Sequence, residues 1–145
     1  MNKQQIITIG VIAVIIVVSA VVLSSTYLGK DITITKVSAP AAGLHGQNIT
    51  VTDTLRNKGI IGTGNFDVYF SLSPTKSYSN KILIGKGNIN NLGDRTIVQQ
   101  STQLAIPLNT TPGTYYILAY ADGNNTVKEL NEHNNGHWSK QIVIS

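Results

Sequence analysis

Hydrophobic and polar positions divide the chain into two regimes. Residues 6–23, IITIGVIAVIIVVSAVVL, are an almost unbroken apolar run, and no charged residue falls between Lys3 and Lys30. About 20 apolar residues are enough to cross the hydrocarbon of a bilayer as a helix. Their many β-branched side chains are no obstacle there, because lipid offers the backbone no competing hydrogen-bond partners. Beyond Gly29 the period changes to two. DITITKV (31–37) alternates, and NITVTDTLRNKG (48–59) puts Ile49, Val51 and Leu55 on one face with Thr50, Thr52 and Thr54 on the other. Further runs are NFDVYFSLS (65–73), KILIGKGNI (81–89), RTIVQQSTQLAI (95–106), TYYILAYA (114–121) and WSKQIVIS (138–145). The stretches between them, such as APAAGLHG, NKGIIGTG, SPTKSYSN and NTTPG, are turn chemistry. The pattern predicts residues 1–29 as a short cytoplasmic terminus with one transmembrane helix over about 6–28, then an antiparallel two-sheet sandwich of seven strands over 30–145.

Lys3 and the N-terminal amine place the start of the chain in the cytoplasm and the domain outside the cell. Two other fates of the apolar run stay open. Cleavage as a signal peptide would use a weak small-residue site near Ser24, and processing as a pilin would fall at NKQQ before Ile6, where the usual small residue is missing. An outside location agrees with the absence of cysteine, the low 12% of charged residues, and three N-glycosylation sequons at Asn48, Asn109 and Asn124. The net charge of +4 shrinks once Lys3 and Lys30 are set aside, leaving nine basic residues against seven acidic ones in the outer domain. Without a concentrated basic patch, nucleic acid is excluded as a partner.

The richest candidate chemistry is in GTYYILAYADGNNTVKELNEHNN (113–135). Pro112 and Gly113 turn the chain into a strand apolar on both faces, as a central strand is, with Tyr115, Ile117, Ala119 and Ala121 sharing one side. Tyr115, just after the turn, is placed like the tyrosine corner of immunoglobulin-type sandwiches, ring in the core and hydroxyl on backbone. Asp122, Asn124, Glu129 and Glu132 are oxygen ligands of the kind calcium takes. The calcium-loop pattern fails, however, because Thr126, Val127 and His133 occupy positions that need an oxygen ligand, a turn glycine and a bidentate glutamate. The stretch therefore predicts an ordered connection, its Asn and Asp side chains bonded to nearby backbone and Val127 and Leu130 anchoring it on the core. His133 and His137 lack a third zinc ligand and predict solvated loop residues. No nucleophile motif, metalloprotease motif or phosphate loop occurs, so no catalytic residue, metal or cofactor is expected and the chain is not expected to be an enzyme. Asp53 has the parity of the apolar face, and its plainest reading is a strand-end carboxylate bonded to the turn at Arg56–Lys58. Trp138, the single tryptophan, is expected in core or sheet-edge packing.

The segment from 113 onward resembles the CARDB family, the cell adhesion related domain found in bacteria. That family's C-terminal pattern is G-x-Y-x-I/L, an Asp, then N-x-V-x-E-x-N-E-x-N-N, and Gly113, Tyr115, Ile117, Asp122, Asn125, Val127, Glu129, Asn131, Glu132, Asn134 and Asn135 stand in those positions. ITVTDTLRNKG, VYFSLSPT and ILIGKGNINNL are similar to its earlier segments, while Leu130 and Asn80 depart from it. The resemblance covers roughly residues 31–135. It implies an all-β, seven-stranded Ig-like β-sandwich that makes adhesive or protein contacts at cell surfaces, with no catalytic residues to carry over.

The function this supports is a membrane-anchored surface module that contacts a protein or glycan through sandwich loops or a strand edge. The contact surface is expected to include Ile60 and Ile61 in a Gly-rich turn and Tyr78 in the SPTKSYSN loop. The partner is a surface protein or glycan, with the S-layer or copies of the chain itself among the choices. The alternative is a structural subunit of an archaeal surface filament, of pilin, archaellin or S-layer-gripping stator type, with the apolar helix packed in a filament core.

Overall fold

The computed structural model describes residues 29–145, so the apolar run and the membrane helix expected from it lie outside the described residues. Among the described residues are nine strand segments: β1 (Ile32–Ser38), β2 (Ala42–Gly43), β3 (Asn48–Asn57), β4 (Phe66–Ser73), β5 (Ile82–Ile89), β6 (Ile97–Ala105), β7 (Gly113–Ala121), β8 (Gly136–Trp138) and β9 (Ile142–Ile144). They form two facing sheets. The small sheet has the order β1-β3-β6; the large one runs β2-β9-β7-β4-β5, with β8 beside β7.

Period-two sequence accounts for the core. On β3, Ile49, Val51 and Leu55 point inward and are buried, as are Val68, Phe70 and Leu72 from β4 and Ile117, Ala119 and Ala121 from β7. Strand β7 is flanked by β4 on one side and by β8 and β9 on the other, and its outward Leu118, paired with Ser71 and Trp138, is buried as well. Interlocking of these rows against Ile32, Leu104, Ile142 and Ile144 makes one continuous core.

Three features differ from the seven-strand expectation. The final run WSKQIVIS is interrupted at Ser139, whose N–H donates to the Ile117 carbonyl at 2.8 Å while its hydroxyl accepts the Ile117 N–H at 2.9 Å. A side chain thus replaces a ladder position, and β8 and β9 pair separately with β7. Ala42 and Gly43, in a stretch with turn composition, add a short parallel rung to β9. Gly43 permits this approach, since a Cβ there would lie 2.7 Å from Ile106 Cδ1. Finally, β5 folds back on β4 into the large sheet, leaving β6 as an edge of a three-stranded small sheet.

The strand registers place residues 29–31 and the loops 58–65, 90–96 and 122–135 at one pole of the sandwich. Loops 39–47 and 106–112 and the C-terminal Ser145 lie at the other.

Candidate functional site

The loop 122–135 is built from its own carboxylates. Asp122 and Asn125 take positive φ angles of 48° and 53°, the left-handed conformation that Asp and Asn tolerate. Asp122 Oδ1 accepts from Thr126 N–H at 3.0 Å and from its hydroxyl at 2.6 Å, and Oδ2 accepts from Val127 N–H at 2.8 Å. This fixes Val127 in the core. Glu132 Oε1 accepts the Glu129 N–H at 3.0 Å, and Asn131 Oδ1 accepts the His133 N–H at 3.0 Å.

The folded loop then grips the start of β1. Glu129 Oε2 accepts the Ile32 N–H and Oε1 accepts Asn135 Nδ2. Asn134 Nδ2 donates to Asp31 Oδ1, its carbonyl accepts the Thr33 hydroxyl, and Leu130 N–H donates to the Lys30 carbonyl. Burial pushes the Glu129 carboxyl up to about 7, against the opposing effect of those two hydrogen bonds. On the other side Lys58 N–H and Ile60 N–H donate to the carbonyls of Asp31 and Gly29, and Lys30 Nζ donates to the Thr63 carbonyl. The point where the chain enters the sandwich is therefore held from both sheets. The predicted anchoring of the loop applies to Val127, but Leu130 is 45% exposed and packs against Gly29 instead of the core.

Asp53 contradicts the strand-end reading. It is central in β3 and has no exposed surface, because strand parity turns it inward opposite Gln100 of β6. Its Oδ2 accepts Gln100 Nε2 at 3.2 Å, Oδ1 has no partner, and burial raises its carboxyl to about 6. Neighbouring polar side chains are Gln100 and Thr102, which fit under β5 because Gly87 has no Cβ.

The outer face of the large sheet carries an open groove of about 660 Å³, within the range of small-molecule sites. Tyr69 of β4 and Tyr120 of β7 are paired across the ladder and form its floor. The loop between β4 and β5 folds back over this face, so that Tyr78 meets Tyr120 edge-on at 6.2 Å and Trp138 at 5.8 Å between ring centroids. Lys81 Nζ lies 5.4 Å from the Tyr78 centroid and 6.0 Å from that of Tyr120. At the far end Tyr69 hydroxyl donates to Asn124 Oδ1 at 2.8 Å, beside His133. No carboxylate lines the groove, and among the described residues Lys81 joins no ion pair. Burial and the neighbouring Tyr78 and carboxylates raise the Tyr120 hydroxyl above its ordinary range.

Of the residues singled out for binding, Tyr78 is in this groove and 53% exposed, while Ile61, 47% exposed, is at the pole where Gly29 enters. Ile60 is half-buried beside it. The structure does not bring these residues together with Tyr78. The sequons at Asn48, Asn109 and Asn124 are exposed, and Asn124 is part of the groove. Both His133 and His137 are exposed. Trp138 packs on Tyr78 on the outer face, outside the core. Tyr69 and Tyr120 are not among the residues the sequence singles out for binding. Their signal is parity, since each is outward on a strand whose alternate residues are core, but only the register places them side by side.

Comparison with known proteins agrees with this architecture. The chain matches the CARDB family model over residues 29–139. Among solved structures it is similar to a CARDB domain from Pyrococcus furiosus in complex with di-metal ions, at 21% identity and a TM-score of 0.61, over 81% of this chain and 90% of that one. It is also similar to a domain of a Methanosarcina acetivorans protein described as a cell surface protein, at 18% identity and a TM-score of 0.58, over 81% of this chain and 94% of that one. A β-glucosidase from Listeria innocua matches at 14% identity and a TM-score of 0.54, over 80% of this chain but only 16% of the enzyme. No match is found among curated proteins. The residues of this chain do not fit the metals of the Pyrococcus domain. Asp122 and Glu129 have both oxygens engaged and Glu132 has one, and among the described residues no group of three or more His, Cys, Asp or Glu could hold a metal ion. With the family model covering most of its length and the family's C-terminal motif folded into a clamp on β1, the chain belongs to the CARDB family.

Proposed function

We propose that the protein is a non-catalytic, membrane-anchored module of the cell surface that binds a saccharide in the aromatic groove of its large sheet. The observation that carries this is the groove itself. A pyranose has a face of C–H groups and a rim of hydroxyls. The first suits the electron-rich faces of Tyr69, Tyr78 and Tyr120, and the second suits Lys81, Asn124 and His133 at the margin. Among the described residues Lys81 joins no ion pair, and the carboxylates near Tyr120, Asp122, Glu129 and Glu132, stand outside the lining with oxygens engaged in their own loop, so Lys81 favours an acidic sugar over a basic one. The anchor is the apolar run 6–23. In support, residues 29–31 are pinned to the sandwich by loops 58–65 and 122–135, leaving little slack between that run and the domain.

The test is binding of the detergent-solubilised full chain to an oligosaccharide array. Wild type should retain acidic glycans, and Tyr78→Ala, Tyr120→Ala and Lys81→Ser should each lose most of that binding with the melting temperature little changed. Binding that survives all three substitutions, or that prefers peptides over every sugar, would remove the groove from the function.

A further inference from the structure

We propose that β6 is a homotypic docking edge, along which two copies of the chain pair antiparallel about Ser101 and join their small sheets into one. An open strand edge offers unpaired N–H and C=O groups, and soluble proteins protect such edges with charge, proline, bulges or cover. The other edges here are protected. Strand β1 has a register break between Ile34 and Lys36 and is covered at its start by loop 122–135. Strand β5 has a break opposite Phe70 and Ser71 and carries Lys86, while β2 is only two residues long. Strand β6, IVQQSTQLA, has none of these devices. It carries no charge and no proline, and its nine residues pair with β3 without interruption.

The sequence of the edge identifies the occupant. Antiparallel self-pairing about Ser101 sets Gln99 opposite Gln103, Ile97 opposite Ala105, Gln100 opposite Thr102 and Val98 opposite Leu104. In chemical character the strand reads the same in both directions, as a two-fold axis requires and a foreign partner does not. The flank is also unfinished, since of the inward-facing residues Val98, Gln100, Thr102 and Leu104 only Leu104 is buried. A second copy laid alongside would cover the others.

Antiparallel pairing has a consequence for the cell surface. It directs the poles where the two chains enter at Gly29 to opposite ends of the joined sheet, the arrangement of copies on two facing membranes. This last step rests on the anchoring proposed above; the pairing does not.

The chain has no cysteine, so single substitutions report register without background. In the detergent-solubilised full chain under a mild oxidant, Ser101→Cys should yield mostly disulfide-linked dimer. Mixed Gln99→Cys and Gln103→Cys chains should cross-link to each other in preference to themselves. Adding Gln99→Lys with Gln103→Lys to the Ser101→Cys chain sets like charges opposite each other and should lower the dimer yield about tenfold with the melting temperature retained. Equal cross-linking at all three positions, or no more than from Lys128→Cys in the clamp loop, would overturn the pairing. If the pairing holds but mixed cells carrying differently tagged chains give cross-links only within a population, the facing-membrane arrangement fails alone.

Discussion

Asp53→Asn should stabilise the protein, the reverse of what most core substitutions do. Asp53 is a fully buried carboxylate with one partner, Gln100, and one oxygen that has none. Its carboxyl is raised from 3.8 to about 6, so the folded state holds the proton more tightly than the unfolded chain does. The stability this contributes is fully present below the unfolded value and is lost as pH rises through about 6. Two pH units are worth roughly 3 kcal/mol at neutral pH and above. Asn has nearly the same shape, keeps an acceptor for Gln100 and cannot ionise. Its amide brings a donor to a place without an acceptor, at a cost of about 1 kcal/mol, leaving a gain of about 2 kcal/mol at pH 8 that turns into a small loss, under about 1 kcal/mol, at pH 4. Urea unfolding of the full chain in detergent, followed by the fluorescence of Trp138, measures both proteins at each pH. Glu129, raised to about 7, adds pH dependence of the same sign to both and cancels in the difference. A variant less stable than wild type at pH 8, or a difference that stays flat from pH 4 to 8, would refute the account of a strained core carboxylate.

Two further outcomes test the framework around the clamp and the turn. Glu129→Ala strands the Ile32 N–H and the Asn135 amide, and should cost about 2 kcal/mol while speeding hydrogen exchange at Ile32; unchanged exchange there would show that the loop does not hold β1. Tyr115→Phe removes the hydroxyl that donates to the Thr111 carbonyl at 2.8 Å and should cost about 1 kcal/mol in urea unfolding, with an unaltered fold by circular dichroism.

How far the fold was legible depended on whether a residue's role is local. The strands β1 and β3 to β7 followed from parity, and Tyr115 followed from the turn at Pro112–Gly113; its ring packs on the core and its hydroxyl bonds backbone four residues upstream. The break at Ser139 was not legible, because a hydroxyl replacing a ladder position has no pattern of its own. Nor was the pairing of β5 with β4, which depends on how tightly the 74–81 loop returns. Asp53 shows the opposite error. Parity alone points its side chain inward, and the general cost of burying a carboxylate argues for the strand end; in this fold parity wins. In the groove, Tyr78 was visible as an exposed loop aromatic, whereas Tyr69 and Tyr120 become a floor only when β4 and β7 are set in register.

The densest chemical signal in the chain, the Asx and Glu residues from 122 to 135, describes a structural device, and the reason is where the chain enters. If the apolar run is held in a membrane, any pull on the domain arrives through residues 29–31, at the end of an edge strand that would peel from β3 one hydrogen bond at a time. The loop opposes this by fixing the same few residues from the second sheet, through the Ile32 N–H, the Thr33 hydroxyl, the Asp31 carboxylate and the Lys30 carbonyl. Peeling β1 then requires breaking the Glu129 and Asn134 bonds together with the rungs to β3, which converts a sequential failure into a concerted one. Carboxylates engaged in this way are unavailable to a metal. The surfaces proposed above for recognition carry little sequence signature: the tyrosine-lined face reaches this loop only at Asn124 and His133, and the uncharged edge of β6 lies on the other sheet.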